Sequence, residues 1–191
     1  CTSLRQYIEN KEFNSSDLFY HNELWGSWDH HTRFSATNAD ASLQKINTSI
    51  QEANKFLKET DWIIVTLGSS FVYKKEGRHV ANCHKVPTDK FEKILLSSDE
   101  ITERIGEAIT MLKQFRPGIK MLFTISPVRH LRDGFVENNR SKANLITAVH
   151  SLTKKYDDVF YFPAYELIID DLRDYRFYAE DMAVSYTHLT L

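Results

Sequence analysis

Within five residues, Ser126-Pro127-Val128-Arg129-His130 supplies a hydroxyl, a guanidinium and an imidazole. Arg129 has the planar fork to hold a carboxylate or phosphate, and His130 titrates near neutrality and can move a proton. The competing use of Arg129 is to pair with an acid near the C-terminus and fix that segment. A second group is Gly68-Ser69-Ser70. Glycine permits a tight turn, and the hydroxyls and amides after it can donate to an oxyanion. An ordinary turn is the plain alternative. A third group holds His79, Asn82, Cys83, His84 and Lys85. Its spacing fits no common zinc pattern and supplies no fourth ligand, so no metal is expected. Asn82 or His84 as donor to a developing negative charge is the better use. Adjacent His30 and His31 do not aim at one ligand.

The densest run is Tyr161 to Asp181, YFPAYELIIDDLRDYRFYAED. Aromatic rings there favour burial, and buried charges need partners, so a site or a paired network is expected. Asp170 with Arg173, and Asp174 with Tyr178, are three or four residues apart and fit ordinary helical pairing. After Ala183 the text changes character to Val-Ser-Tyr-Thr-His-Leu-Thr-Leu.

These groups need a scaffold that brings them to one place. Trp62–Leu67, Lys120–Ile125 and Val159–Phe162 are short, near-continuous apolar runs. They read as parallel strands covered on both faces. Helical spacing precedes each: Leu43, Ile46, Ile50, Ala53, Leu57; then Ile101, Ile105, Ala108, Leu112, Phe115; then Leu145, Val149, Leu152. Ser98 or Asp99 is the expected cap of the second helix, and Pro117-Gly118 stops it. Alternating helix and strand is the grammar of an α/β domain, and ligands in such sheets bind beyond the carboxyl ends of strands. Gly68 and Ser126 fall at such ends. Leu4–Ile8 reads as a short helix, residues 25–31 as a polar-aromatic loop, and residues 69–99 as a long excursion suited to binding.

Composition narrows the classes. A length of 191 residues fits one domain with a real core, and 42% apolar residues indicate a globular chain. Net charge is -2 with both signs interspersed, which gives no nucleic-acid stripe. No apolar run is long enough to span a membrane. Two distant cysteines, Cys1 and Cys83, fit a reducing, cytoplasmic setting rather than a disulfide framework. No Gly-rich phosphate loop follows a strand, which disfavours a nucleotide binder.

Several segments together resemble the GSCFA family, a branch of the SGNH/GDSL-type hydrolase superfamily. They are Thr66-Leu67-Gly68 with Val72-Tyr73, Ala81-Asn82-Cys83-His84-Lys85, Ser126-Pro127-Val128-Arg129-His130, Glu137-Asn138, Ser141-Lys142-Ala143, Tyr161-Phe162-Pro163 and Asp171 through Met182. The resemblance covers most of the chain to about Ala183. It implies a flavodoxin-like α/β/α sandwich on a five-stranded parallel sheet, with residues 1–183 as a partial domain lacking its N-terminal strand and residues 184–191 as a non-native tail.

It also implies a serine esterase without a cofactor, acting on a small acyl or carbohydrate ester. The nucleophile motif Gly-Ser-Cys-Phe-Ala does not occur in this sequence. Asp181 matches the aspartate that orients the catalytic histidine, yet the position three residues on is Val184. The expected oxyanion or substrate contacts are Gly68, Ser69, Asn82, His84, Ser126, Arg129 and His130. The sequence as written is expected to be inactive, with uncovered apolar faces and a tendency to aggregate. The alternative on the same scaffold is a non-catalytic anion- or sugar-binding domain.

Overall fold

The computed structural model describes residues 2–129 and 134–172. His130, Arg173, Arg176, Asp181 and the 184–191 tail lie outside the described residues. In chain order the elements are α1 (Thr2–Ile8), β1 (Phe19–His21), β2 (Leu24–Gly26), α2 (Ala39–Glu59), β3 (Trp62–Leu67), β4 (Phe71–Lys75), β5 (Arg78–Val80), β6 (Glu92–Leu95), α3 (Ser98–Phe115), β7 (Lys120–Ile125), α4 (Gly134–Lys155), β8 (Val159–Phe162) and α5 (Ala164–Glu166). A turn of π-helix, Leu167–Asp171, follows α5.

Two compact units emerge. The first takes residues up to Thr60, Phe71–Leu95 and Arg104–Pro117; the second takes Asp61–Ser70, Leu96–Glu103 and the chain from Gly118 onward.

In the first unit, Asn38 caps α2 by accepting from the Asp40 and Ala41 amides, at 2.7 and 3.2 Å. The helix buries Ile46, Ile50 and Leu57 on one stripe, and Phe13 packs with the first two. Asn47 fixes the approach of the N-terminal segment by bonding both the amide and the carbonyl of Phe13, each at 2.9 Å. Residues 69–99 are not the irregular excursion the sequence suggests: β4, β5 and β6 form an antiparallel sheet in the order β5-β4-β6. The reason is turn chemistry. Glu76 and Gly77 both take positive φ, 51° and 78°, which suits a tight hairpin. Asn22 and Glu23 do the same between β1 and β2, and β2 takes in Trp25 and Gly26 from the segment that reads as a polar-aromatic loop.

The second unit is the α/β part. Its parallel sheet runs β3-β7-β8, in register from Trp62↔Lys120 to Leu67↔Ile125 and from Met121↔Val159 to Thr124↔Phe162. Helix α4 packs on β7 and β8, and Met121, Phe123, Ile125, Leu145, Val149 and Leu152 are buried. Among the described residues the expected cover is present on one face of this sheet and not on the other. There Ile64 is 68% exposed and Phe162 48%, with Trp62 and Phe160 also open. Runs of apolar residues record which side chains favour burial, not whether a cover is present. The cap of α3 is Ser97, not Ser98 or Asp99. Its hydroxyl accepts from the Glu100 amide at 3.2 Å while the Glu100 carboxylate takes the Ser97 amide at 2.8 Å. Among the described residues no helix is long and apolar enough to cross a membrane.

Candidate functional site

Strand β3 ends at Leu67 and β7 at Ile125, side by side in register, so Gly68 and Ser126 emerge together at the carboxyl end of the sheet. The Ser126 amide donates to the Leu67 carbonyl at 2.9 Å, carrying the pairing one residue beyond the strands. Helix α4 then binds the turn after β3. Ser141 Oγ accepts the Ser70 amide at 2.8 Å and lies 3.2 Å from Ser69 Oγ. The Ser70 carbonyl accepts from the Leu96 amide at 3.0 Å, and the Leu96 carbonyl from Asn144 at 2.8 Å. A hydroxyl-bearing turn is thereby fixed where parallel sheets receive ligands.

Behind it lies Lys142, only 1% exposed. Its Nζ donates to the carbonyls of Gly68 and Ser126, at 2.6 Å each, and so ties the two strand ends together. The ring of Tyr165 is 5.9 Å from the same nitrogen. Burial pushes the ammonium down from its ordinary 10.5 to about 8. Ser70 Oγ is buried with no hydrogen-bond partner among the described residues. Gly68 is a further clue. It has no positive φ, and a Cβ built on it meets nothing within 4 Å. Neither backbone strain nor crowding by described residues demands glycine here.

Ser126 Oγ accepts the Val128 amide at 3.3 Å, closing the turn that leads to half-buried Arg129. Gly68, Ser69, Ser126 and Arg129 therefore share the second unit.

Asn82 and His84 belong to the first unit. Asn82 Nδ2 donates to Thr32 Oγ1 at 3.2 Å, and its Oδ1 accepts the His84 amide at 2.8 Å. This holds His84 and Lys85 in left-handed backbone at φ 50° and 60°. His84 Nε2 sits 2.8 Å from the Ser27 carbonyl, and its ring meets Phe19 and Trp28 edge-on. Burial lowers the His84 pKa, with the Ser27 hydrogen bond opposing it in part. Phe19, His21, Gly26, Thr32, Ser35 and His84 line a cavity of about 200 Å³. Nearby, His30 is buried 3.2 Å from Ser27 Oγ, and buried Asp29 accepts from Arg78 at 2.6 Å. His30 and His84 are both buried, packed against Phe13, Phe19, Trp28 and Phe34. Among the described residues no three His, Cys, Asp or Glu side chains gather as a metal site would need. Tyr161, which opens the C-terminal run, donates to Glu166, and burial followed by that bond pushes its phenol up.

Ser141 and Lys142 have no role among the contacts expected from sequence, yet both build this end of the sheet. The signal was present: Lys142 lies on the helical stripe of Leu145, Val149 and Leu152. A lysine on an apolar stripe must be buried with partners or reach around to water.

Compared with known proteins, the model of the GSCFA family matches residues 1–189. No curated protein and no solved structure gives a significant match.

Proposed function

The chain belongs to the GSCFA family, and on that premise we propose that it carries part of an SGNH-type serine hydrolase acting on acyl or carbohydrate esters. The observation that supports this best is the fixed Gly68-Ser69-Ser70 turn beside Ser126, at the carboxyl end of adjacent parallel strands. Ester cleavage by a serine needs three things. A hydroxyl must lose its proton to a base as it attacks the acyl carbon. An aspartate must hold that base in the useful tautomer. Fixed donors must meet the oxygen that becomes negative. The turn at Gly68 is suited to the third task, and Arg129 to holding a charged or hydroxylated substituent of the substrate.

In this reading Asp181 serves the second task. The first has no counterpart in this sequence, which contains no Gly-Ser-Cys-Phe-Ala motif and has Val184 where the histidine is expected. On this proposal the 191 residues by themselves give no turnover. The test adds a Gly-Ser-Cys-Phe-Ala segment and Val184→His, and follows p-nitrophenyl acetate hydrolysis. Turnover that disappears when the added serine becomes alanine supports the proposal. A folded protein that shows none refutes it. Lys142 favours a second reading, an anion-binding domain without turnover, because its buried charge has no acid against it among the described residues.

A further inference from the structure

The cavity of about 200 Å³ in the first unit has no role in the function proposed above. One face of the β1–β2 hairpin forms a side of it. Phe19 pairs with Gly26 and His21 with Leu24, so these four positions point the same way, and all four line the cavity. Gly26 and His84 are buried while Asn22 and Lys85 are exposed, which sets the closed end and the mouth. A Cβ on Gly26 would stand 2.9 Å from Ser35 Oγ, 3.2 Å from Phe19 and 3.5 Å from His84 Cε1. Three lining residues converge there, and glycine keeps the closed end from being filled. An apolar cavity of about 150 Å³ takes up a benzene ring, so this one has room for a ring and one substituent.

The turn from Cys83 to Val86 supplies two more lining residues. The Val86 amide donates to the Cys83 carbonyl at 2.9 Å, and His84 and Lys85 between them both take positive φ. Such a turn calls for Asn-Gly, because L side chains resist that backbone. The comparable turns hold one of the two, as Asn22 and Gly77; this one holds neither. Packing accounts for His84, whose Nε2 meets the Ser27 carbonyl and whose ring meets Phe19 and Trp28. It does not account for Lys85, which is exposed, strained in backbone and without an ion pair among the described residues. What Lys85 brings is a positive charge at the mouth of a cavity that no acid lines. An apolar recess with a cation at its mouth selects an anion with an apolar body. A single ammonium matches a singly charged head group. We propose that the first unit binds a small aromatic carboxylate in this cavity, its ring against Phe19 and Leu24 and its charge toward Lys85. All nine lining residues belong to the first unit, independent of the Gly68 turn and of the ester reading.

The experiment titrates the 191-residue chain with sodium benzoate, exchanging chloride to keep ionic strength constant, and follows the Gly26 and Lys85 amides by NMR. Saturable shifts are expected. Benzyl alcohol, which lacks the charge, and acetate, which lacks the ring, should each bind at least about tenfold more weakly. Lys85→Gly should weaken benzoate binding by about tenfold while leaving the melting temperature unchanged or higher, since glycine accepts positive φ. Lys85→Arg should keep benzoate affinity within about threefold of wild type. Absence of saturation by benzoate, or wild-type affinity in Lys85→Gly, overturns the proposal. So does a lower melting temperature in Lys85→Gly, which would give Lys85 to the fold instead. Benzyl alcohol matching benzoate, or Lys85→Arg as weak as Lys85→Gly, overturns the role of the charge. Acetate matching benzoate overturns the role of the ring.

Discussion

Replacing Lys142 by methionine should change how stability responds to alkali more than it changes stability at neutral pH. Burial holds the Lys142 ammonium at about 8 against an ordinary 10.5. As pH rises the folded chain releases this proton first. Between those two values the unfolded chain binds more protons, so stability increases with pH through that window. Below it both states are charged and the contribution is constant. At about 1.4 kcal/mol per pH unit, the full rise approaches roughly 3 kcal/mol. Methionine keeps the stem and removes the charge. It relieves the desolvation penalty but leaves the Gly68 and Ser126 carbonyls without their donor, at about 1–3 kcal/mol each. The opposing effects largely cancel near neutrality.

The assay is urea unfolding of both chains from about pH 7 to about pH 10, read as the difference between them. Tyr161 and Cys83 titrate in the opposite sense, because burial raises both, but they are present in both chains and drop out. Wild type should gain stability over the variant as pH rises. Parallel curves would refute the claim that Lys142 is a desolvated cation in the folded state.

Other consequences follow from single contacts. Ser141→Ala removes the acceptor of the Ser70 amide; it should lower stability by about 1–3 kcal/mol in chemical denaturation, and leave no turnover advantage to the restored enzyme. Gly26→Ala sets a Cβ 2.9 Å from Ser35 Oγ and 3.2 Å from Phe19; it should destabilise by about 1–3 kcal/mol, in contrast to Gly68→Ala. Burial depresses His30 and His84 below the ordinary 6.5. The unfolded chain therefore protonates first, and stability present above that value should fall as the solution is acidified beneath it. Thermal melts across that range check this, and a flat profile would contradict it. Ile64→Lys places a charge on the open sheet face and should raise the monomer fraction in light scattering, with no loss of melting temperature.

Much of the scaffold is legible before any coordinates. The stripe Ile46, Ile50, Leu57 appears as α2, and the three apolar runs appear as β3, β7 and β8 with their expected bounds. Long periodic segments are read well because burial imposes the period. The hairpins are read badly. Lys74-Lys75-Glu76-Gly77 looks polar and irregular, yet two left-handed residues close the hairpin that pairs β4, the central strand, with β5. Such backbone choices depend on pairing that a local pattern does not record.

Sequence alone determined the alternation of helix and strand, the family, and the placement of Gly68 and Ser126 after strands. Those follow from periodicity and from residue types in a fixed order. Tertiary structure decided what those positions became. It joined β3 to β7 so that Gly68 and Ser126 lie together, and it drew Ser141 and Lys142, more than seventy positions beyond Gly68, onto that end. It also engaged Asn82 with Thr32 rather than leaving its amide unoccupied. The physical reason is the same throughout. A pattern can say that a side chain will be buried, but desolvation is answered by particular neighbours, and only the folded chain supplies them.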